Sequence, residues 1–241
     1  MRMRIKSLSL IITLFYYYCV PGQNAVFHWV NTFENANTPY NKCYPIIQDS
    51  AGNVYMAGNF NDVTDFDPSN ATFALVPHGA SFLNDVFIVK YDPLGNLIWA
   101  KSIGGDFTDN ATAITLDASN NLYISGVFSF VADFDPGPST YTLDSNNGYG
   151  FLAKFDSGGN FLWAGNFGGK CHSIEVDGGN NVVITGDYGG TKNFDLLGGT
   201  FNLTSSGLAD VFICKYTTNG NLIWAKTMGG SANDEANGLK I

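Results

Sequence analysis

Two near-identical tetrads carry the side chains most suited to chemistry: Asp65-Phe66-Asp67-Pro68 and Asp133-Phe134-Asp135-Pro136. Alternate residues of an extended segment share a face. Asp65 with Asp67, and Asp133 with Asp135, would then aim paired carboxylates at one hard cation, with the Phe turned to a core. Calcium takes roughly 6–8 oxygen ligands, and two side chains plus nearby carbonyls fall short of that. At the third occurrence, Asn193-Phe194-Asp195, Asn replaces the first Asp while Phe is kept. Phe is the constant element, so a capped turn competes with calcium binding as the role of the four Asp. Calcium at these residues is the one cofactor the sequence raises.

Other reactive types are sparse. His28, His78 and His172 stand apart, with no second ligand at zinc spacing. Cys43, Cys171 and Cys214 are odd in number and widely spaced, which is no disulfide framework. Cys43 and Cys171 occupy equivalent positions of two repeats and form the one pairing worth testing; Cys214 reads as a small core residue. Asp49, Asp117 and Asp177 each precede a turn and are read as caps, and Asp85 and Asp210, which open strands, are read in the same structural way. Nothing flags a Ser-His-Asp or Cys-His site. An enzyme would have to use Asp106, Asp109, Asp234 and Glu235, the acids that stand outside the repeat pattern. A glycosidase needs two carboxylates roughly 5–9.5 Å apart in a cleft.

Those residues are set in a repeat. Three of the four Trp recur as Leu97-Ile98-Trp99-Ala100, Phe161-Leu162-Trp163-Ala164 and Leu222-Ile223-Trp224-Ala225, each followed by a Gly pair; Phe27-His28-Trp29-Val30 shares the start of the pattern. Asp49 to Gly58, Asp117 to Gly126 and Asp177 to Gly186 form a second series. Val86 to Tyr91, Phe151 to Phe155 and Val211 to Tyr216 form a third. Each unit predicts four short antiparallel strands. In the second unit these fall at 113–116, 122–128, 151–155 and 161–167, with a variable arm over 129–148. The 28 Gly and the many Asn suit tight turns, and 19 Phe and 12 Tyr suit strands. No helix is expected, with 172–176 and 232–239 the nearest to ambiguous.

Four antiparallel strands per repeat describe a β-propeller blade, which cannot bury both faces alone. The expected fold is all-β, with blades at about 43–105, 111–169 and 171–230. Residues 26–33 and 236–241 would be strands of incomplete blades. The recurring Trp is read as core. Gly52 to Gly58, Phe87 to Tyr91 and Gly95 to Lys101 together resemble the bacterial β-propeller repeat called SBBP, over nearly all of the chain after residue 22. That resemblance implies secreted proteins of Gram-negative bacteria. It implies no reaction.

Arg2, Arg4 and Lys6 ahead of the apolar run Leu8 to Val20 have the layout of a secretory signal peptide, with cleavage expected after Gly22. The run is short for a membrane span, and none is expected in the mature chain. The formal net charge is -9, and no Arg follows Arg4. That balance excludes a phosphate-binding basic stripe, and with it nucleic acid as a partner. The expected protein is a secreted or cell-surface, non-enzymatic binding or scaffold module, the N-terminal part of a larger propeller. An extracellular protein or glycan is its expected partner, with self-association through open strand edges as a second mode. Recognition would fall to the loops at 106–112, 170–173 and 231–237. The rival reading is an extracellular polysaccharide-active enzyme with carboxylates at the propeller mouth.

Overall fold

The computed structural model describes residues 42–79, 83–147 and 149–241, together with the short strands Ile11–Thr13, Val30–Thr32 and Glu34–Asn35. The predicted leader lies outside the described residues except for Ile11–Thr13, which pairs with Val30–Thr32. Trp29 and His28 also lie outside them.

Strand formation follows from alternating turn and apolar segments. The first unit holds β1 (Lys42–Gln48), β2 (Val54–Phe60), β3 (Asp85–Tyr91) and β4 (Leu97–Gly105). The second holds β5 (Asn110–Leu116), β6 (Leu122–Val127), β7 (Gly150–Phe155) and β8 (Phe161–Phe167). The third holds β9 (Lys170–Val176), β10 (Val182–Asn193), β11 (Asn202–Tyr216) and β12 (Leu222–Met228). Within each unit consecutive strands pair antiparallel in chain order. The middle strands β2 and β3 are buried at every position, and so is β7, as expected for sheets covered on both faces.

Each hairpin turn is built the same way. Asp49 accepts through Oδ1 from the Ala51 and Asn53 amides and through Oδ2 from the Asn53 side chain. Asp117 with Asn121, Asp156 with Asn160 and Asp92 with Asn96 repeat the pattern. The Asp-to-Asn spacing of four residues lets one carboxylate close the turn and clamp its far end. Thr217 replaces the Asp in the last turn and accepts from Asn221 through Oγ1.

The variable arms fold as hairpins, as in Val131–Asp133 with Thr142–Asp144. In the third unit the arm is continuous with β10 and β11, whose pairing runs on to Asn193 and Asn202. Residues 236–241, expected as a strand, form none: the Leu239 amide donates to Ser173 Oγ beside β9, and among the described residues no ladder forms there. A single 3-10 turn, Ser145–Asn147, interrupts the otherwise helix-free described residues.

The recurring Trp departs from the expectation of a core residue. Trp99, Trp163 and Trp224 are half-buried, and Trp99 and Trp163 pack on the core edge while reaching the next unit. Trp99 Nε1 donates to the Ser157 carbonyl of the next unit at 3.2 Å, and Trp163 Nε1 to the Thr218 carbonyl at 3.1 Å. The indoles lie on glycines of those turns: a Cβ on Gly159 would meet Trp99 at 3.1 Å, and one on Gly220 would meet Trp163 at 3.2 Å. Lys90 and Lys154 reach the same two carbonyls, so the first and second units each grip the third hairpin turn of the next.

Candidate functional site

The predicted cation residues cap the turns of their own arms. Asp65 Oδ1 accepts from the Asp67 and Phe73 amides, Asp133 Oδ1 from Asp135 and Tyr141, and Asn193 Oδ1 from Asp195 and Phe201. Asp67 and Asp135 accept from the Ser69 and Gly137 amides. Phe66, Phe134 and Phe194 are buried, as their constancy required. The arm also reaches back to the preceding unit, where Ala132 pairs with Gly105 and Asp133 with Gly104. Among the described residues no group of three or more His, Cys, Asp or Glu side chains is arranged to hold a metal ion.

Beneath the Trp clasps runs a charged ladder that the sequence reading missed. Lys154 Nζ lies 3.3 Å from Asp117 Oδ2 and 4.7 Å from the Tyr123 ring centroid. Lys90 makes a longer approach to Asp49, 4.0 Å, over Tyr55. Lys215 meets Asp177 at 2.5 Å, and there Val183 takes the Tyr position. Burial works to raise Asp117, and hydrogen bonds from Asn121, Ser119 and Lys154 outweigh it, so its carboxyl sits below the usual range. The signal was present in the sequence, as Lys recurs at the next-to-last position of the third strand. Its partner Asp lies too far along the chain for spacing to reveal the pair.

Two of the predicted recognition segments converge, but residues 110–112 and 170–173 open strands β5 and β9 rather than lying in loops. Asn110, Ala111, Thr112, Lys170 and His172 line an open concavity of about 460 Å³ with Asn59 and Val127. It sits where the first strands of the second and third units begin. A β-bulge follows Ala111 in β5 and Cys171 in β9. The extra residue of each bulge, Thr112 and His172, is thereby turned into the concavity. Asn59 Nδ2 donates to Asn110 Oδ1 at 2.6 Å, and Asn59 Oδ1 accepts from the Ala111 amide. Thr112 Oγ1 donates to the Cys171 carbonyl at 2.7 Å, joining the two units. His172 Nε2 is bonded to Asp187 Oδ1 behind it. The lining contains no carboxylate, and Lys170 is its exposed cation. Cys171 is free and buried, with its thiol pushed up by burial to about 11, so it is no nucleophile here. Cys43 lies among residues whose side chains are not described.

The acids of the enzymatic reading are divided. Asp109 is 2% exposed, and burial pushes its carboxyl up to about 7. Its oxygens accept from the Gly105 and Ser129 amides. Asp234 accepts from the Gly230 amide in the equivalent corner of the third unit. Neither lines the concavity, and Asp106 and Glu235 do not line it either.

No protein-family model matches the chain. Over 118 residues it is 32% identical to an uncharacterized WD repeat-containing protein of Acanthamoeba polyphaga mimivirus, covering 44% of this chain. The matched region spans 8% of that protein's length. This supports a repeat-type β protein. A crystal structure of a protein of unknown function from Bacteroides caccae overlaps 86% of this chain and 91% of that one, at 8% identity and a TM-score of 0.30. A likeness that low has no bearing on the fold.

Proposed function

We propose that the chain is a non-enzymatic binding module built from β-propeller blades of the SBBP type, secreted or held at a cell surface. It recognises an extracellular protein or glycan through the concavity between the second and third units. The observation that carries this reading is the convergence of Asn110, Thr112, Lys170 and His172, from the starts of strands β5 and β9, on one rigid concavity. The bulges that aim Thr112 and His172 belong to strands, so the lining is preorganised rather than mobile. Amide and hydroxyl groups beside a single exposed cation suit a polyhydroxylated or weakly anionic ligand. The basic, then apolar, segment at residues 2–20 supports export.

The test is binding to arrays of glycans and extracellular peptides, followed by affinity and turnover measurements on the strongest ligand. Asn110→Ala and Lys170→Ala are expected to weaken binding about 10-fold or more, while Leu94→Ala on a remote turn leaves it unchanged. The ligand should be recovered chemically intact. Cleavage of a polysaccharide, or binding indifferent to both lining substitutions, would overturn the proposal.

A further inference from the structure

A pair of exposed aromatic rings stands where the first and second units meet. Phe107 lies between β4 and β5, and Phe130 follows β6 at the root of the second arm. Their ring centroids are 4.1 Å apart, with planes 33° from parallel. Even in contact with each other, Phe107 is 42% exposed and Phe130 60% exposed. A lone exposed apolar side chain is ordinary, but two rings set together offer a surface for something to cover.

Phe130 is also held in an unfavourable backbone conformation. Its φ is 57°, and the other non-glycine residues of positive φ among the described residues are Asn120 and Asn180. Asn tolerates this region, whereas a bulky side chain does not. Two hydrogen bonds fix the conformation. The Phe130 amide donates to Ser145 Oγ, and the Ser145 amide donates to the Phe130 carbonyl, each at 2.7 Å.

The third unit makes the same bend with a different residue. Gly190 has φ of 73°, its amide donates to Ser205 Oγ at 2.9 Å, and nothing lies within 4 Å of where its Cβ would stand. Glycine serves the bend without strain. At that junction Gly168-Gly169 runs directly into Lys170, with no segment to supply a counterpart of Phe107. Where the junction supplies an aromatic partner, the bend carries a phenyl ring. Where the junction lacks one, the bend carries glycine. Strain retained beneath an exposed ring points to a use for the ring.

The rings extend from the rim of the concavity. Asn110 and Val127 form the terminal pair of the β5–β6 ladder, and both line the concavity. Phe107 stands three residues before Asn110, and Phe130 three residues after Val127. Three residues of chain reach at most about 11 Å, so one extended ligand can touch both places. Asp106, exposed, and Thr108, half-buried, stand on either side of Phe107 in the chain.

We propose that Phe107 and Phe130 form a platform for one ring of a glycan chain, another ring of which occupies the concavity. This rests on the concavity being a binding site, and it makes the ligand a polysaccharide segment rather than a single sugar. A phenyl ring has no polar handle, so its match is the apolar C–H face of a pyranose. The hydroxyls at the edge of that pyranose are left to water and to the polar residues beside Phe107. A protein partner is a poorer match. The two partly covered phenyl rings expose at most about 300 Å², against about 800 Å² per partner in a stable protein interface.

The test is calorimetric titration of the full chain with cellohexaose, chitohexaose and hexagalacturonate, alongside thermal melts. At least one hexasaccharide should bind, and Phe107→Ala and Phe130→Gly should each weaken it about 5- to 10-fold. Asn110→Ala should weaken it as well. Phe130→Gly should melt at or above the parent, since Gly190 serves the same bend, so its lost binding is not lost folding. Platform variants that bind as the parent does, while Asn110→Ala loses affinity, would overturn the platform and leave the concavity standing. Loss at Phe107→Ala and Phe130→Gly but not at Asn110→Ala would support the platform and overturn the concavity as its companion. Failure of all three hexasaccharides to bind would overturn the proposal, as would binding of a proline-rich peptide at the rings in their place. A Phe130→Gly melt more than about 3 °C below the parent would show that the ring is kept for packing, and would overturn it too.

Discussion

Asp117 joins the turn, the charged ladder and the contact between units. Its Oδ1 closes the hairpin, and its Oδ2 meets Lys154, which grips the Thr218 carbonyl of the next unit. Because these partners hold its folded-state pKa below the usual value, the stability it contributes is present above about pH 4 and is lost as pH falls through the lowered value. Asp117→Asn should therefore lower stability at neutral pH and flatten the acid side of the melting profile below about pH 4. A parallel profile for parent and variant would count against this role. Gly159 makes a second residue-scale case. It has φ of 76° and would place a Cβ 3.1 Å from Trp99, whereas Gly198, with φ of 86°, faces open space. Both glycines resist substitution through the backbone, at about 1 kcal/mol. Only Gly159→Ala also disturbs an indole, so it should cost about 1–2 kcal/mol more than Gly198→Ala in denaturant titrations.

Among the elements, the four-stranded units were legible because their punctuation is local: Asp at the start of a turn, Asn four residues on, then a β-branched or aromatic run. The roles of Trp and Lys were not legible. Trp99 and Ser157 are far apart in sequence, and a periodic indole inside a strand carries the same signal whether it is buried in its own sheet or laid on the next. The arms were hidden for a related reason, since Asp133 becomes ordered by pairing with Gly104 of the preceding unit. The buried ladder gives the sharpest element-scale prediction. Lys154 and Asp117 are 6% and 7% exposed, so Lys154→Met strands a buried carboxylate and should cost about 3 kcal/mol. Lys215 is more exposed than Lys154, and Lys215→Met should cost about 1 kcal/mol or less. Equal losses at the two sites would contradict the ladder's graded burial.

For the whole molecule, the first and second units lean forward through Trp and Lys, and the second and third lean backward through their arms, so neighbouring units stabilise one another. Sequence periodicity anticipated the repetition and the segments that differ between units. It did not anticipate that two of those segments share one concavity, because the convergence depends on matching bulges in β5 and β9. Rigid strands supply the lining, so ligand binding should leave the sheets unmoved. The most direct measurement is backbone amide-shift mapping by NMR with the strongest array ligand. The account predicts the largest shifts at Asn59, Asn110, Thr112, Lys170 and His172, with little change in the turns that hold Trp99 and Trp163. Shifts confined to those turns, or to the exposed edge of β12, would place recognition elsewhere and contradict the proposed role of the concavity.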